Sequence, residues 1–250
     1  MNQPETFPVT GIPKAGIPSR ALVVGDPFRA ERISHMLEDV QEVAHRREYR
    51  TFRGKWRGTE ILVSSHGVGG PGAICLFQEL IDGGVDTIIR LGTAGSMQKG
   101  INDADLIIAD ACVRDDGVTH QLVPDSYPAT SAAEVVLALE SAAQTDAVPH
   151  HRGVVWTRAA FYPGAIDLGL DSYIKSGVLA VEMELSALLV LASVRGVRAG
   201  GALVIDGAAA DDLVDTTGYD PHRDVIAAGV NRGIIVSLNA LVAVPDTASA

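Results

Sequence analysis

Little in this chain is positively charged, sulfur-bearing or aromatic. Lys and Arg total 20 against 31 Asp and Glu, a formal net charge of −11. A surface of that sign does not accumulate nucleic acid or an anionic membrane, so a small anion can bind only where several arginines converge. The two cysteines, Cys75 and Cys112, lie in apolar segments with no CxxC or metal spacing. That argues against a disulfide scaffold and a thiolate metal site, and fits buried thiols in a reducing, cytoplasmic compartment. No apolar run reads as the ~18 residues of a membrane span, and the polar start MNQPETF does not read as a signal peptide. Aromatics are only 5% of a chain that is 47% hydrophobic, so the core must be aliphatic. Repeats, low-complexity tracts and linkers are also missing, and one domain over residues 1–250 is expected.

What is there is a recurring order of strand, glycine-containing turn and helix. RALVVG (20–25) reads as a buried strand, and DPFRAERISHMLED as a helix with Asp26 at its N-cap and Pro27 at N1. Two strands around a glycine turn are expected in YRTFRGKWRGTEILVSSHGVGG. A helix opened by Pro71 and closed by Gly83 and Gly84 follows. Strands near 86–91, 106–113 and 153–158 and a helix near 131–144 come next. A helix from near 182, a strand over 199–206 and a helix over about 221–240 complete the pattern. Such alternation implies a single α/β domain around a mixed, strongly twisted sheet, with ligands outside the carboxyl ends of the strands.

Several stretches carry chemistry. In RLGTAGS, Arg90 is expected at the end of an apolar strand, where a buried charge demands either an acid of the chain or an anionic ligand. VVGDPFRAER sets Gly25 at a strand end and Arg29 in the first helical turn, where free amides and a guanidinium could hold a phosphate oxygen; a capped helix with a solvated arginine is the alternative. It is neither a Walker loop nor a GxGxxG fingerprint. His66, in SSHGVGGPG, is read as a packed or hydrogen-bonded turn residue. In VEMEL, helical spacing would put Glu182 and Glu184 on different faces of a mostly apolar helix. One acid can serve the helix dipole; two around Met183 fit a site that grips vicinal hydroxyls. Asp206 follows Leu203, Val204 and Ile205, where desolvation would raise its pKa and suit it to donate a proton; a capping aspartate is the other reading.

Taken in order, VVGDPFRAERI, RREY, SHGVGGPG, RLGTAGS, FYPG, VEMEL and VIDG resemble the hexameric nucleoside phosphorylase family, which contains uridine phosphorylases and trimer-of-dimers purine nucleoside phosphorylases. The resemblance covers about residues 17–240. It implies a barrel-like mixed sheet flanked by helices, and phosphorolysis of a nucleoside to free base and ribose 1-phosphate. By this resemblance Gly25, Arg29, Arg90 and Thr93 would bind phosphate, together with Arg47 donated across a dimer interface. Glu184 would hold the ribose hydroxyls with Glu182 and Met183 beside it, and Phe161 and Tyr162 would meet the base. Asp206 would protonate the leaving base, with Arg223 as its candidate partner. A homo-oligomer, a hexamer built from dimers, is implied. So is phosphate as co-substrate, with no metal cofactor beyond a potassium ion that the likeness allows near Glu48.

The uracil-reading glutamine and arginine that follow FYPG in uridine phosphorylases are replaced by Ala165 and Asp167, and their asparagine–arginine pair by Asp206–Gly207. VEMEL followed by a strand ending in an Asp-Gly pair is similar to inosine- and guanosine-using apicomplexan-type purine phosphorylases. The expected substrate is therefore a purine nucleoside, 6-oxopurine over adenosine. The N-terminal segment, 1–16, offers Pro8 where the family often has a histidine at the ribose 5′-hydroxyl, so 5′-methylthio nucleosides enter as alternatives. Residues 208–220 are expected to form a mobile lid. The rival functions are uridine phosphorolysis, a same-fold nucleosidase that uses water, and a non-catalytic nucleoside-binding protein.

Overall fold

The computed structural model describes residues 5–162, 164–208 and 219–246. Ten strands join in one sheet: β1 (Arg20–Val24), β2 (Glu38–Arg46), β3 (Tyr49–Trp56), β4 (Thr59–Ser65), β5 (Thr87–Ser96), β6 (Leu106–Asp115), β7 (Ala129–Thr130), β8 (His150–Arg158), β9 (Ala180–Glu182) and β10 (Arg198–Ala208). The path runs β10-β6-β8-β9-β5-β1-β4-β3-β2, and β10 also pairs with β5. That last pairing closes β10, β6, β8, β9 and β5 into a five-stranded barrel, from which β1, β4, β3 and β2 extend as an open wing. The expected α/β architecture with a barrel-like mixed sheet is what forms.

Six helices among the described residues cover this sheet: α1 (Pro27–Ser34), α2 (Gly70–Asp82), α3 (Ala133–Thr145), α4 (Leu170–Lys175), α5 (Leu185–Arg195) and α6 (Asp224–Ala243). The aliphatic core divides across the sheet. Phe77, Leu76, Leu188 and Ile205 pack in one cluster, and Leu22, Ile89, Val135 and Ile234 in another. Both cysteines are free thiols. By length and apolarity α6 would suffice for a membrane span, contrary to the sequence reading. Its residues Ile226, Ile234 and Leu241 instead pack into the second cluster.

Four boundaries differ from expectation. The helix after β1 ends at Ser34, and Glu38–Arg46 is a strand whose side chains are mostly exposed. An edge strand that buries almost nothing carries no hydrophobic alternation to betray it. Strand β5 does not stop at Arg90 but runs on through GTAGS, where Leu203 pairs with Gly92 and Val204 with Thr93. Closing the barrel gives these glycines a partner strand, so no turn forms. Glu182 belongs to β9, not to a helix: Trp156 and Thr157 of β8 pair with Val181 and Glu182, and α5 begins at Leu185. Asp206 is not the last residue of its strand, which continues to Ala208.

Candidate active site

Arg90 is 97% shielded from solvent in the middle of the barrel wall. Its guanidinium lies 3.2 Å from Glu182 and makes a short ion pair with Glu184. The backbone explains the convergence. Glu182 is the last residue of β9, and its carboxylate accepts the amides of Glu184 at 2.8 Å and Leu185 at 3.0 Å, capping the start of α5. Glu184 occupies the helix N-cap and accepts the Gly69 amide at 2.6 Å, which ties it to the loop before α2. Glu182 is thus the helix-compensating acid, while Glu184 presents its carboxylate to Arg90 and the pocket.

Of the two readings of Arg90, pairing with acids of the chain is the one that forms. The two acids neutralise it; its Nη1 is the atom 3.2 Å from Glu182, and both Nη1 and Nε are buried without a hydrogen bond. Burial pushes the Glu184 carboxyl up, but Arg90, His66 and the Gly69 amide together outweigh it and hold the group below the usual carboxylate range. For Glu182 burial wins, and its affinity for a proton is raised despite Arg90. A side chain at Gly92 would overlap the Arg90 guanidinium, which folds back over that residue.

A cavity of about 690 Å³ opens over these groups, a size suited to a small organic ligand. Gly25, Arg29, Arg90 and Thr93 line it, as do Glu182, Met183 and Glu184, and Phe161, Tyr162 and Asp206. Arg29 makes no hydrogen bond among the described residues and is held below its ordinary pKa by burial. The start of α1 is less open than expected. Asp26 accepts the Phe28 amide at 2.9 Å, so the helix is capped from within and any anion there would rest on Arg29 and the Gly25 backbone. His66 is buried, its Nδ1 is 2.8 Å from the Gly67 carbonyl, and it packs edge-on against Phe77. Burial and the nearby Arg90 lower its pKa to about 4, so it is neutral near pH 7.

Asp206 sits where the β5–β10 register slips between Ile205 and Gly207. Such a bulge re-aims a side chain; here the Asp206 carboxyl lines the cavity and accepts the Tyr219 hydroxyl at 2.7 Å. It is 3% exposed, and burial raises its pKa above the ordinary aspartate value against hydrogen bonds from Tyr219 and Thr93. Phe161 meets Tyr162 edge-on at 5.1 Å and Tyr219 at 5.8 Å, an aromatic wall beside Asp206.

Two sequence candidates fall elsewhere. The exposed Arg47 lines a separate hollow with Pro8, Val9 and Arg46. Arg223 is exposed and does not reach the Asp206 carboxylate; it pairs with Asp103 at 2.5 Å and donates to the Asp206 backbone carbonyl at 3.1 Å. It anchors the strand segment that carries Asp206. Residues 209–218 of the expected lid lie outside the described residues. The structure adds Tyr219 and Arg158 to the cavity wall. Nothing in the sequence separates Tyr219 from other loop tyrosines, but Arg158 ends the apolar VVWTR and carries the same signal that singled out Arg90. Also unforeseen is buried Asp116, which accepts the Val118 and Thr119 amides and the Ser186 hydroxyl, tying the end of β6 to α5.

A family model described as the phosphorylase superfamily matches residues 19–242. A uridine phosphorylase of Thermococcus kodakarensis is 41% identical over 191 residues, covering 72% of this chain and 69% of that protein. A purine nucleoside phosphorylase of Plasmodium falciparum is 37% identical over 198 residues, covering 78% and 81%. The crystal structure of purine nucleoside phosphorylase from Toxoplasma gondii in complex with immucillin-H superposes with a TM-score of 0.90 at 31% identity, covering 96% of this chain and 97% of that one. The two substrate names divide among relatives of similar identity, so likeness does not choose the base. With the cavity, the acid–arginine cluster and these matches in agreement, the chain belongs to the phosphorylase superfamily and is an enzyme of the nucleoside phosphorylase, or pentosyltransferase, kind.

Proposed function

We propose that this enzyme cleaves purine nucleosides with inorganic phosphate, giving the free base and ribose (or deoxyribose) 1-phosphate. The observation that carries the reading is Asp206: a buried carboxyl whose proton affinity is raised, aimed by a bulge into a cavity whose other groups are cationic or hydroxyl-binding. In the reaction a phosphate oxygen attacks C1′ while the C1′–N9 bond breaks. The electron pair of that bond passes to the base, and Asp206 transfers its proton to N7. Glu184 holds the ribose 2′ and 3′ hydroxyls beside the Met183 wall. Arg29, Arg90 and the Thr93 hydroxyl, all lining the cavity, hold the phosphate, with Arg47 completing that shell from a neighbouring subunit of a homo-oligomer. Positive charge developing on the ribose lies between the phosphate and the Glu184 carboxylate, where preorganised anions stabilise it.

Two features weigh against uridine. Ala165 and Asp167 stand at the positions of the uracil-reading glutamine and arginine; neither lines the cavity, and Asp167 accepts the Gly169 amide at 2.8 Å. A nucleosidase is disfavoured because the cavity-lining cations Arg29 and Arg90 have no role toward water. A cytoplasmic location fits the two free thiols. The deciding measurement is base release from inosine, guanosine, adenosine and uridine, each with and without phosphate. Phosphate-dependent release from the purine nucleosides alone is expected. Uridine cleavage overturns the choice of base, and release without phosphate overturns the phosphorolytic reading.

A further inference from the structure

Arg158 is 5% exposed, lines the cavity, and makes no hydrogen bond or ion pair to any described residue. Its guanidinium lies 5.5 Å from the centre of the Trp156 ring, and Asp115 acts on it only through space, not as a salt bridge. A buried cation without a partner is expensive, and burial lowers its pKa. Trp156 offers only a cation–π contact. This is the arrangement that remains when a partner arrives with the substrate.

The topology says which part of the substrate. Across the sheet the order is β1, β5, β9, β8. Arg29 follows β1 and Arg90 lies in β5, at the phosphate side. Glu182 and Glu184 follow from β9 in the middle, where ribose binds. Arg158 ends β8, beyond the acids, and three residues later the chain places Phe161 and Tyr162 in the aromatic wall. By strand order the cavity thus has a further cation on its β8 side, the side from which the chain runs on to Phe161 and Tyr162, with the two carboxylates of β9 and its helix between it and Arg90. A guanidinium donates hydrogen bonds and accepts none. It therefore pairs with an oxygen on a heterocycle and opposes an amino group at the same position.

We propose that Arg158 reads an exocyclic oxygen of the base and makes this enzyme selective for oxo-substituted over amino-substituted bases. The proposal rests on the nucleoside phosphorylase reading and deepens it. It also supplies from β8 the base-reading cation missing after FYPG.

The test compares kcat/KM for two matched pairs, inosine against adenosine (6-oxo against 6-amino) and xanthosine against guanosine (2-oxo against 2-amino), in wild type, Arg158→Met and Arg158→Lys. Wild type is expected to favour the oxo member of at least one pair, and that pair identifies the edge being read. In Arg158→Met this preference should shrink by about 10- to 100-fold, the range for losing a charged hydrogen bond. Arg158→Lys, still a donor-only cation, should keep part of it. A merely structural role lowers both members of a pair together and leaves the ratio unchanged, which overturns the proposal, as does a wild type without preference in either pair. Loss of inosine 5′-monophosphate binding with unchanged ratios would assign Arg158 to a 5′ anion and overturn it too. Calorimetric binding of hypoxanthine and adenine in phosphate separates the two readings. A protein that turns over no nucleoside but still binds hypoxanthine more tightly through Arg158 retains this inference and loses the enzymatic one. Should uridine prove to be the substrate, uridine against cytidine provides the same contrast.

Discussion

On the proposed reading, Asp206 concentrates the chemistry in one proton. Its pKa is raised because burial penalises the carboxylate, so the folded protein binds that proton more tightly than the unfolded chain. Linkage then gives a definite sign: this group's contribution to stability is full below the ordinary aspartate pKa and declines as pH rises through the raised folded value. Asp206→Asn removes the penalty. We expect it to raise Tm at neutral pH while lowering kcat for purine phosphorolysis by about 10²–10⁴-fold, the usual worth of a general acid. Phosphate affinity should stay within a few-fold, measured by titration. Wild-type kcat/KM should fall as pH rises through the Asp206 transition, and an activity flat across that range would remove Asp206 as the acid. Gly92 is the complementary case, needed for space and not for a turn. A methyl group there displaces the Arg90 guanidinium from Glu182 and Glu184, so Gly92→Ala should raise the KM for phosphate and for nucleoside together. A change in only one of them would mean that Arg90 does not couple the two subsites.

At the scale of elements, the site depends on how closely two helices approach β10. A Cβ on Gly200 would come 2.5 Å from Val135 of α3, and one on Gly201 would come 2.5 Å from Leu185 of α5. The glycine pair therefore sets the seating of both helices, one on each face of the strand. Since α5 begins immediately after Glu184, its seating also sets the position of that carboxylate. Gly201→Ala should cost about 1–3 kcal/mol by overpacking, read as a lower denaturation midpoint, and should weaken nucleoside binding more than Gly200→Ala does. Equal effects on binding would show that α5 can shift without carrying Glu184 along. Legibility in the sequence followed burial. Strands β1 and β10 and helices α2 and α3 were readable to within a few residues because each buries an apolar stripe against the core. Strand β2 was not, because its residues are mostly exposed and only pairing with β3 makes it a strand. Likewise β9 is three residues long, too short for periodicity, and its neighbours β8 and β5 define it.

For the whole molecule, the open question is how many chains build one site. Within one chain the cavity is lined by Arg29 and Arg90, the proposed phosphate ligands, while Arg47 stands exposed at the turn between β2 and β3 with a left-handed φ of 54°. On the proposal that a neighbour donates Arg47, Arg47→Ala should raise the phosphate KM by about 10- to 100-fold with much less effect on nucleoside KM. Specific activity should fall on dilution below the dissociation concentration of the dimer, followed by sedimentation. A monomer with full activity would mean that Arg29 and Arg90 suffice.

From residue types and their order alone came the α/β class, the aliphatic core, the acidic surface and, with the family resemblance, most but not all of the charged groups that line the cavity, because burial and charge leave marks on local sequence. Arg90, Glu184 and Asp206 were each legible as a charged side chain where apolar neighbours predict burial. Tertiary structure alone decided what those charges do to one another. Closing the barrel carried β5 past Arg90 through GTAGS, created the bulge that aims Asp206, and brought Glu182 and Glu184 to Arg90 from more than ninety residues away in the chain. It also left Arg158 buried without a partner among the described residues. Electrostatic pairing depends on distance in space, and contacts between strands far apart in sequence are set only when the barrel closes.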